Sequence, residues 1–160
     1  MNAGAQSSRL VSVTLDDASI GRGTPDQEHE RRVAIYDLVE TNNFAVPGRD
    51  RGVYALRLSL RDRKIVLDIS DADGAPVAAH LLSMTPFRRI LRDYFIICEN
   101  YFSAIRTSSS ERIEAIDMGR RGLHNEGAQL LAERLKGKID CDFDTARRLF
   151  TLFTALHWKG

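Results

Sequence analysis

The sequence predicts a single α+β domain, in which a small, mostly antiparallel sheet of about four strands is packed by about four helices. Residues 9–82 contain short segments in which apolar and polar side chains alternate, as is typical of strands. Residues 83–160 instead repeat apolar side chains at intervals of three and four, which indicates helices. Because 43% of the 160 residues are hydrophobic, the chain can form one core.

The first half should begin with a strand and a helix. We expect residues 1–8 to form a disordered tail and the domain to occupy residues 9–160. Residues 10–15 read as the first strand, and a polar loop with two glycines follows at 16–23. A helix is expected over 25–41, and an irregular connection over 44–52.

Three further strands should follow as an antiparallel meander, because only short turns separate them. We expect them at residues 53–60, 64–70 and 76–82. The turn at 71–74 contains Asp-Gly, which supplies a positive φ at little cost. The first strand is expected at one edge of this sheet or beside it.

The second half should be helical. Thr85 followed by Pro86 resembles an N-cap and a first helical residue, and the strongly apolar helix after it is predicted to be the centre of the core. Ser108 and Glu111 match a capping box that opens a second helix. That helix should reach residue 135, and it either continues through or breaks near Gly122.

The last helix is expected over residues 145–157, capped by Phe143-Asp144. Its apolar side chains either pack internally or form a dimer face. The net charge is +1, which does not favour nucleic acid. The two cysteines are far apart and match no disulfide framework or zinc spacing, and we find no secretory signal or membrane span. These observations predict a cytoplasmic protein.

The first helix carries the candidate site. Thr24 and Gln27 match a capping box, and backbone N–H groups at a helix start attract anions. Glu28, Arg31 and Arg32 project onto the same face as the apolar residues further along this helix. They form either a pocket, in which an arginine holds an anion and Glu28 or His29 is a base, or a structural ion-pair network. The candidate ligand-binding residues are Arg22, Thr24, Glu28, His29, Arg31, Arg32 and His124.

Several specific chemistries are not supported by the motifs. The glycine loop at 21–23 lacks the Lys-Ser/Thr ending of a P-loop, and Asp26 stands where the dinucleotide-binding motif requires its third glycine. The four histidines match no metal spacing, so no metal or cofactor is predicted. Cys141 lies between two aspartates, which disfavour a thiolate. No complete catalytic set is found.

Paired arginines occur at 31–32, 88–89, 120–121 and 147–148. If several converged, they would form a face that binds RNA or phosphate. Solvent-exposed helix faces with acidic neighbours such as Asp93 explain these pairs without a nucleic acid, and a nucleic-acid partner is not predicted.

Three segments, at residues 20–32, 122–127 and 142–150, resemble an uncharacterised protein family of alphaproteobacteria whose members are about this long. The resemblance covers nearly the whole chain, implies a bacterial cytosolic protein and transfers no catalytic residues. Because no nucleophile–base pair, metal set or phosphate loop is complete, we expect a small cytosolic binding or regulatory module without catalysis. The sequence does not identify its partner, and both a protein partner and a homodimer stay open. The alternatives are an enzyme or sensor that binds a small molecule or phosphate at the start of the first helix, and association with RNA or the ribosome through the paired arginines.

Overall fold

The computed structural model describes residues 8–50 and 52–157 and confirms a mixed α+β fold in a single domain. The described residues form six strands and five α-helices. In chain order these are β1 (Arg9–Leu15), α1 (Asp17–Ile20), α2 (Pro25–Glu40), β2 (Phe44–Ala45), β3 (Val53–Arg61), β4 (Lys64–Asp71), β5 (Pro76–Ser83), α3 (Arg88–Thr107), α4 (Ser110–Leu135), β6 (Asp140–Cys141) and α5 (Phe143–His157).

The main sheet has the strand order β1-β3-β4-β5, so β1 lies at one edge, as expected. β3, β4 and β5 form the predicted antiparallel meander, whereas β1 pairs with β3 in parallel. The helix α2 makes this parallel pairing possible, because it carries the chain from the end of β1 back to the start of β3. One face of the sheet contributes buried side chains to the core, among them Leu56, Leu58, Ile65 and Leu67.

Two elements were not predicted. The polar loop at 16–23 contains α1, whose N-cap Asp16 accepts a hydrogen bond from the Ser19 backbone. The connection at 44–52 contains β2, which pairs with β6 far along the chain. Both elements are too short for a periodic pattern to appear in the sequence.

The prediction that the helix after Thr85 is the centre of the core is wrong. That helix, α3, has only three buried residues. The centre is α5, in which nine of 15 residues are buried, since it packs against both α2 and α4. The apolar side chains of α5 therefore pack internally, while Trp158 lies outside the described residues.

The helix boundaries correct several details. Thr85 opens a 3-10 turn and does not cap α3. Ser109, not Ser108, caps α4, and α4 is continuous through Gly122. At the start of α5, the Asp142 side chain accepts the backbone N–H of Thr145 at 2.9 Å, so the cap lies one residue before the expected pair.

Ser8, the last residue of the expected tail, is part of the folded domain. Ser8 is buried, and its backbone oxygen accepts a hydrogen bond from the Phe44 backbone at 3.0 Å. Its hydroxyl also accepts one from the Gly52 backbone at 3.2 Å. These bonds join Ser8 to the folded body, while residues 1–7 of the expected tail lie outside the described residues.

Candidate functional site

The predicted capping box is present at the start of α2. Thr24 accepts a hydrogen bond from the Gln27 backbone, and the Gln27 side chain accepts one from the Thr24 backbone at 2.7 Å. Two backbone N–H groups that an anion could bind are therefore already occupied.

Glu28 and Arg31 close the glycine loop onto this helix. Oε1 of Glu28 accepts hydrogen bonds from the backbone N–H of Gly23 at 2.7 Å and from Nη1 of Arg31 at 3.1 Å. The same Nη1 donates to the backbone oxygen of Gly21 at 2.9 Å. The Gly23 N–H, helped by the charge of Arg31, lowers the pKa of Glu28 below its usual range. Glu28 is thus an ionised carboxylate that anchors the loop.

The other predicted residues of this helix start lie at the surface. Arg22, Thr24 and His29 are exposed. Arg32 is also exposed, which corrects its assignment to the inward face, and it lines a shallow depression between β1 and α2. The geometry of Glu28 and Arg31 favours the structural network, and ligand binding by the predicted set stays a prediction.

His124 lies apart from this cluster, in the packing between α3, α4 and α5. Its ring lies between Tyr94 and Phe150, with centroid distances of 5.8 Å and 5.3 Å. Its Nε2 lies 2.7 Å from the hydroxyl of Thr151, whose proton is donated to the backbone oxygen of Arg147. Because a threonine hydroxyl has one proton, Nε2 of His124 must be the donor. Burial, followed by the charges of Arg147 and Arg120, lowers the pKa of His124 to about 4, so the ring is neutral.

A groove of about 330 Å³ lies between α2 and α3. Its floor is α5, through Thr151 and the buried Thr154 and Ala155. The α2 wall contains Val33 and Ala34 together with the carboxylates of Glu30 and Asp37. The residues lining this groove are Glu30, Val33, Ala34, Asp37, Tyr94, Phe95, Cys98, Tyr101, Phe102, Arg120, Thr151, Thr154 and Ala155.

The α3 wall is part of an apolar seam of residues spaced four and three apart: Leu91, Phe95, Cys98, Phe102 and Ile105. Of these, Phe95, Cys98 and Phe102 line the groove. The seam changes from covered to open along the helix. Leu91 is buried, Phe95 and Cys98 are half-buried, and Phe102 is 68% exposed. Ile105 continues the open part beyond the groove. This end of α3 lacks the cover that an apolar seam usually has.

The polar groups beside the seam are mostly neutralised within the chain. Arg120 donates to Oδ1 of Asp117 from Nη2 at 2.6 Å and from Nε at 3.1 Å, and its guanidinium lies 5.2 Å from the Tyr101 ring centroid. Burial raises the pKa of the Tyr94 hydroxyl to about 12 and also raises the pKa of the Cys98 thiol. Both groups are therefore protonated at neutral pH, and Cys98 is not a thiolate nucleophile.

Glu30 and Asp37 lie on the opposite wall, seven residues apart on α2, which corresponds to about 10 Å along the helix. Both are exposed. Within residues 8–50 and 52–157 neither forms an ion pair. The groove therefore combines an apolar wall with an acidic one, which suits an amphipathic ligand that carries positive charge.

The paired arginines are spread over four helices. Arg89 pairs with Glu126 at 2.6 Å and with Asp93 at 3.4 Å. Arg120 and Arg121 share Asp117. These pairs agree with the interpretation as helix faces with acidic neighbours, and RNA association stays a prediction that no contact here favours.

The described residues contain no group of three or more histidine, cysteine or acidic side chains placed to hold a metal ion. None of their helices has the length and apolar character needed to cross a membrane.

The fold and its groove define the class of protein, a small α+β protein with an open groove. Sequence similarity identifies its family. Residues 7–159 match the model of UPF0262, an uncharacterised protein family, and the chain belongs to that family. A UPF0262 protein from Methylobacterium radiotolerans is 62% identical over 95% of this chain and 94% of its own length. Relatives from Nitrobacter winogradskyi and a Bradyrhizobium species are 59% and 58% identical, over 91% and 93% of their lengths. These alphaproteobacterial sources confirm the resemblance, and no solved structure matches.

Sequence reasoning missed the groove. The spacing of the apolar residues of α3 predicts a core helix, because a buried stripe and an uncovered seam have the same spacing. One signal could have indicated the difference: the four-three spacing of the seam continues to Ile105, close to the end of α3.

Proposed function

We propose that this chain is a non-catalytic binding module of the cytoplasm, and that its groove binds an amphipathic helix of a partner protein. The apolar face of that helix packs against Phe95 and Phe102, and its basic residues face Glu30 and Asp37. Helix-in-groove binding is a common mode of protein recognition.

The observation that carries this proposal is the uncovered seam of α3. Phe102 is a large aromatic side chain with 68% of its surface exposed, at the mouth of a groove whose remaining wall is formed by Val33 and Ala34. Aromatic anchors of this kind contribute most of the binding energy in protein interfaces. A partner helix would cover the exposed end of the seam, whose other end is already buried at Leu91.

The charges select the partner. Glu30 and Asp37 would repel an acidic helix and attract a basic one, and Arg120 is already neutralised by Asp117. The cytoplasmic assignment rests on Cys98 and Cys141, which are both free thiols, as is usual in a reducing compartment.

The proposal is tested with designed peptides of about 18 residues, roughly 27 Å as a helix. One fluorescein-labelled peptide carries a leucine stripe and lysines, a second carries glutamates in place of the lysines, and a third has the composition of the first with its stripe scrambled. Fluorescence anisotropy should show binding of the lysine peptide, at least about tenfold weaker binding of the glutamate peptide, and none of the scrambled one.

Two variants of α3 locate the binding. Phe102→Glu should abolish binding of the lysine peptide, because it places a charge on the seam. Ile96→Glu is the matched control, since Ile96 is 52% exposed on the same helix but does not line the groove. Equal effects of the two substitutions, or equal binding of all three peptides, would overturn the proposal.

Cys98 offers a second readout within the same groove. A bound helix should slow alkylation of Cys98 by N-ethylmaleimide, whereas the rate at Cys141, which does not line the groove, should stay unchanged. A thermal-shift screen of small molecules tests the alternative, in which the protein binds a small ligand. If a small ligand slows the alkylation of Cys98 and none of the peptides binds, the groove binds a small molecule and not a helix.

A further inference from the structure

The residue that follows α5 has the helical phase of the groove floor. Three residues of α5 line the groove, at positions 151, 154 and 155, and α5 ends at His157. Trp158 and Lys159 come next in the sequence and lie outside the described residues. Trp158 is seven residues after Thr151 and three after Ala155. One further residue of helix would therefore place it on the face that lines the groove.

The open end of the groove lies at the height of this position. Short connections join α3 to α4 and α4 to α5, and each pair of helices packs side by side, so both pairs are antiparallel. α3 and α5 therefore run in the same direction. Between them, the rings of Tyr94 and Phe150 lie 6.4 Å apart. Phe102 and position 158 each follow this contact by eight residues, about 12 Å of helix, and so lie at the same height.

The acidic wall lies beside the next position, 159. The backbone N–H of Asn43, just after α2, donates to the hydroxyl of Thr145 at the start of α5 at 2.9 Å. The two helices pack against each other in opposite directions, so Glu30 at the start of α2 lies near the end of α5. Lys159 follows Thr145 by fourteen residues, close to four helical turns, which puts it on the side of α5 that faces α2.

We infer that Trp158 and Lys159 extend α5 by roughly half a turn and cover the open end of the groove. The indole packs on Phe102, and the ammonium group lies beside Glu30, which forms no ion pair within residues 8–50 and 52–157. The groove suits an occupant with an apolar side and a basic side, and this dipeptide has both. Because it is attached to the groove floor, its binding is intramolecular and needs no second molecule.

This cover would regulate the groove, a consequence that rests on the proposed function. A partner helix has to displace Trp158 before it can contact Phe102. The apparent affinity for the partner is then lowered in proportion to the fraction of molecules whose groove is open.

Tryptophan fluorescence tests the cover, because Trp158 is the single tryptophan of the chain. Its emission in the wild type should lie at shorter wavelength than that of N-acetyltryptophanamide, and acrylamide should quench it less. Phe102→Glu should shift the emission to longer wavelength and increase quenching, whereas the control Ile96→Glu, on the same helix but outside the groove, should change neither. Wild-type emission and quenching equal to those of the free amide, or equal effects of the two variants, would overturn the inference.

A second pair of variants tests the charge. Glu30→Lys places two cations side by side and should increase the quenching of Trp158. Glu40→Lys is the control, since Glu40 is exposed on the same helix but lies outside the groove. Equal quenching in these two variants would overturn the placement of Lys159.

Peptide binding tests the competition. The unlabelled lysine peptide, which contains no tryptophan, should increase the acrylamide quenching of Trp158 as it displaces the indole. Trp158→Ala should bind the labelled peptide about tenfold more tightly than the wild type, the factor expected if the groove is covered about nine-tenths of the time. Binding of equal strength to both chains would overturn the cover.

The two readouts separate the cover from the proposed function. If Trp158 is shielded and Phe102→Glu releases it, but no peptide binds the wild type or Trp158→Ala, the cover stands and the proposed function fails. If the lysine peptide binds the wild type while Trp158 is as quenchable as the free amide, the proposed function stands and the cover fails.

Discussion

The ring of Phe150 on α5 packs directly against the backbone of α4 at Gly127. Its atoms Cζ, Cε1 and Cε2 occupy the space that a Cβ atom at position 127 would need. Phe150 is fully buried, so its ring has no free volume into which it can retreat. This contact sets how closely α4 approaches the central helix.

Substituting Gly127→Ala should therefore destabilise the protein although alanine favours helices. We expect a loss of about 1–3 kcal/mol in the free energy of unfolding, the usual cost of overpacking a core. Urea denaturation followed by circular dichroism measures it. Gly122→Ala is the control, because a Cβ there meets no atom within 4 Å, and it should gain up to about 1 kcal/mol from helix propensity. Equal effects would refute the packing role of Gly127.

His124 should make stability depend on pH. An unfolded chain binds the proton of this histidine near pH 6.5, whereas the folded protein binds it only near pH 4. Between these values the unfolded chain holds more protons, so the free energy of unfolding falls as the pH drops from about 6.5 to about 4. His124→Gln, whose amide also donates to Thr151, should show a smaller loss between pH 7 and pH 5. Identical pH profiles for the variant and wild type would contradict this.

Arg31 should matter for the fold more than its neighbours at the start of α2. Arg31→Ala removes the bonds to Gly21 and Glu28, and we expect the Tm to drop by roughly 3–6 °C. The exposed His29 provides the comparison, since His29→Ala removes no hydrogen bond of the described structure and should leave the Tm unchanged. Differential scanning calorimetry measures both, and a larger effect at His29 would favour a functional pocket at this helix start.

Asn42 should stabilise β1 at the edge of the sheet, because its carboxamide accepts the N–H of Leu10 at 2.8 Å and donates to the C=O of Leu10 at 3.1 Å. Asn42→Ala leaves the N–H of Leu10 without an acceptor, which costs about 1–3 kcal/mol when the group is shielded from water. Asn43→Ala removes only an exposed bond to Asp142 and should cost less than about 0.5 kcal/mol. Chemical denaturation compares the two, and the prediction fails if Asn43→Ala is the more damaging change.

Local patterns were sufficient for most of the elements. The meander β3–β4–β5 and the helices α2, α4 and α5 lie close to their predicted bounds, because alternation, helical spacing and capping residues act within a few positions. The capping box at Thr24 is correct for the same reason. The site was harder, since its groove brings residues of four helices together and no single segment contains its pattern.

The sequence by itself determined the α+β class, the antiparallel meander, the cap of α2 and the family. Only the tertiary structure decided which apolar stripe is buried. The stripes of α3 and α5 look alike along the chain, but α5 lies between α2 and α4, whereas the seam of α3 extends past its cover toward Phe102. Burial depends on what packs against a helix, and spacing along one helix carries no information about its neighbours.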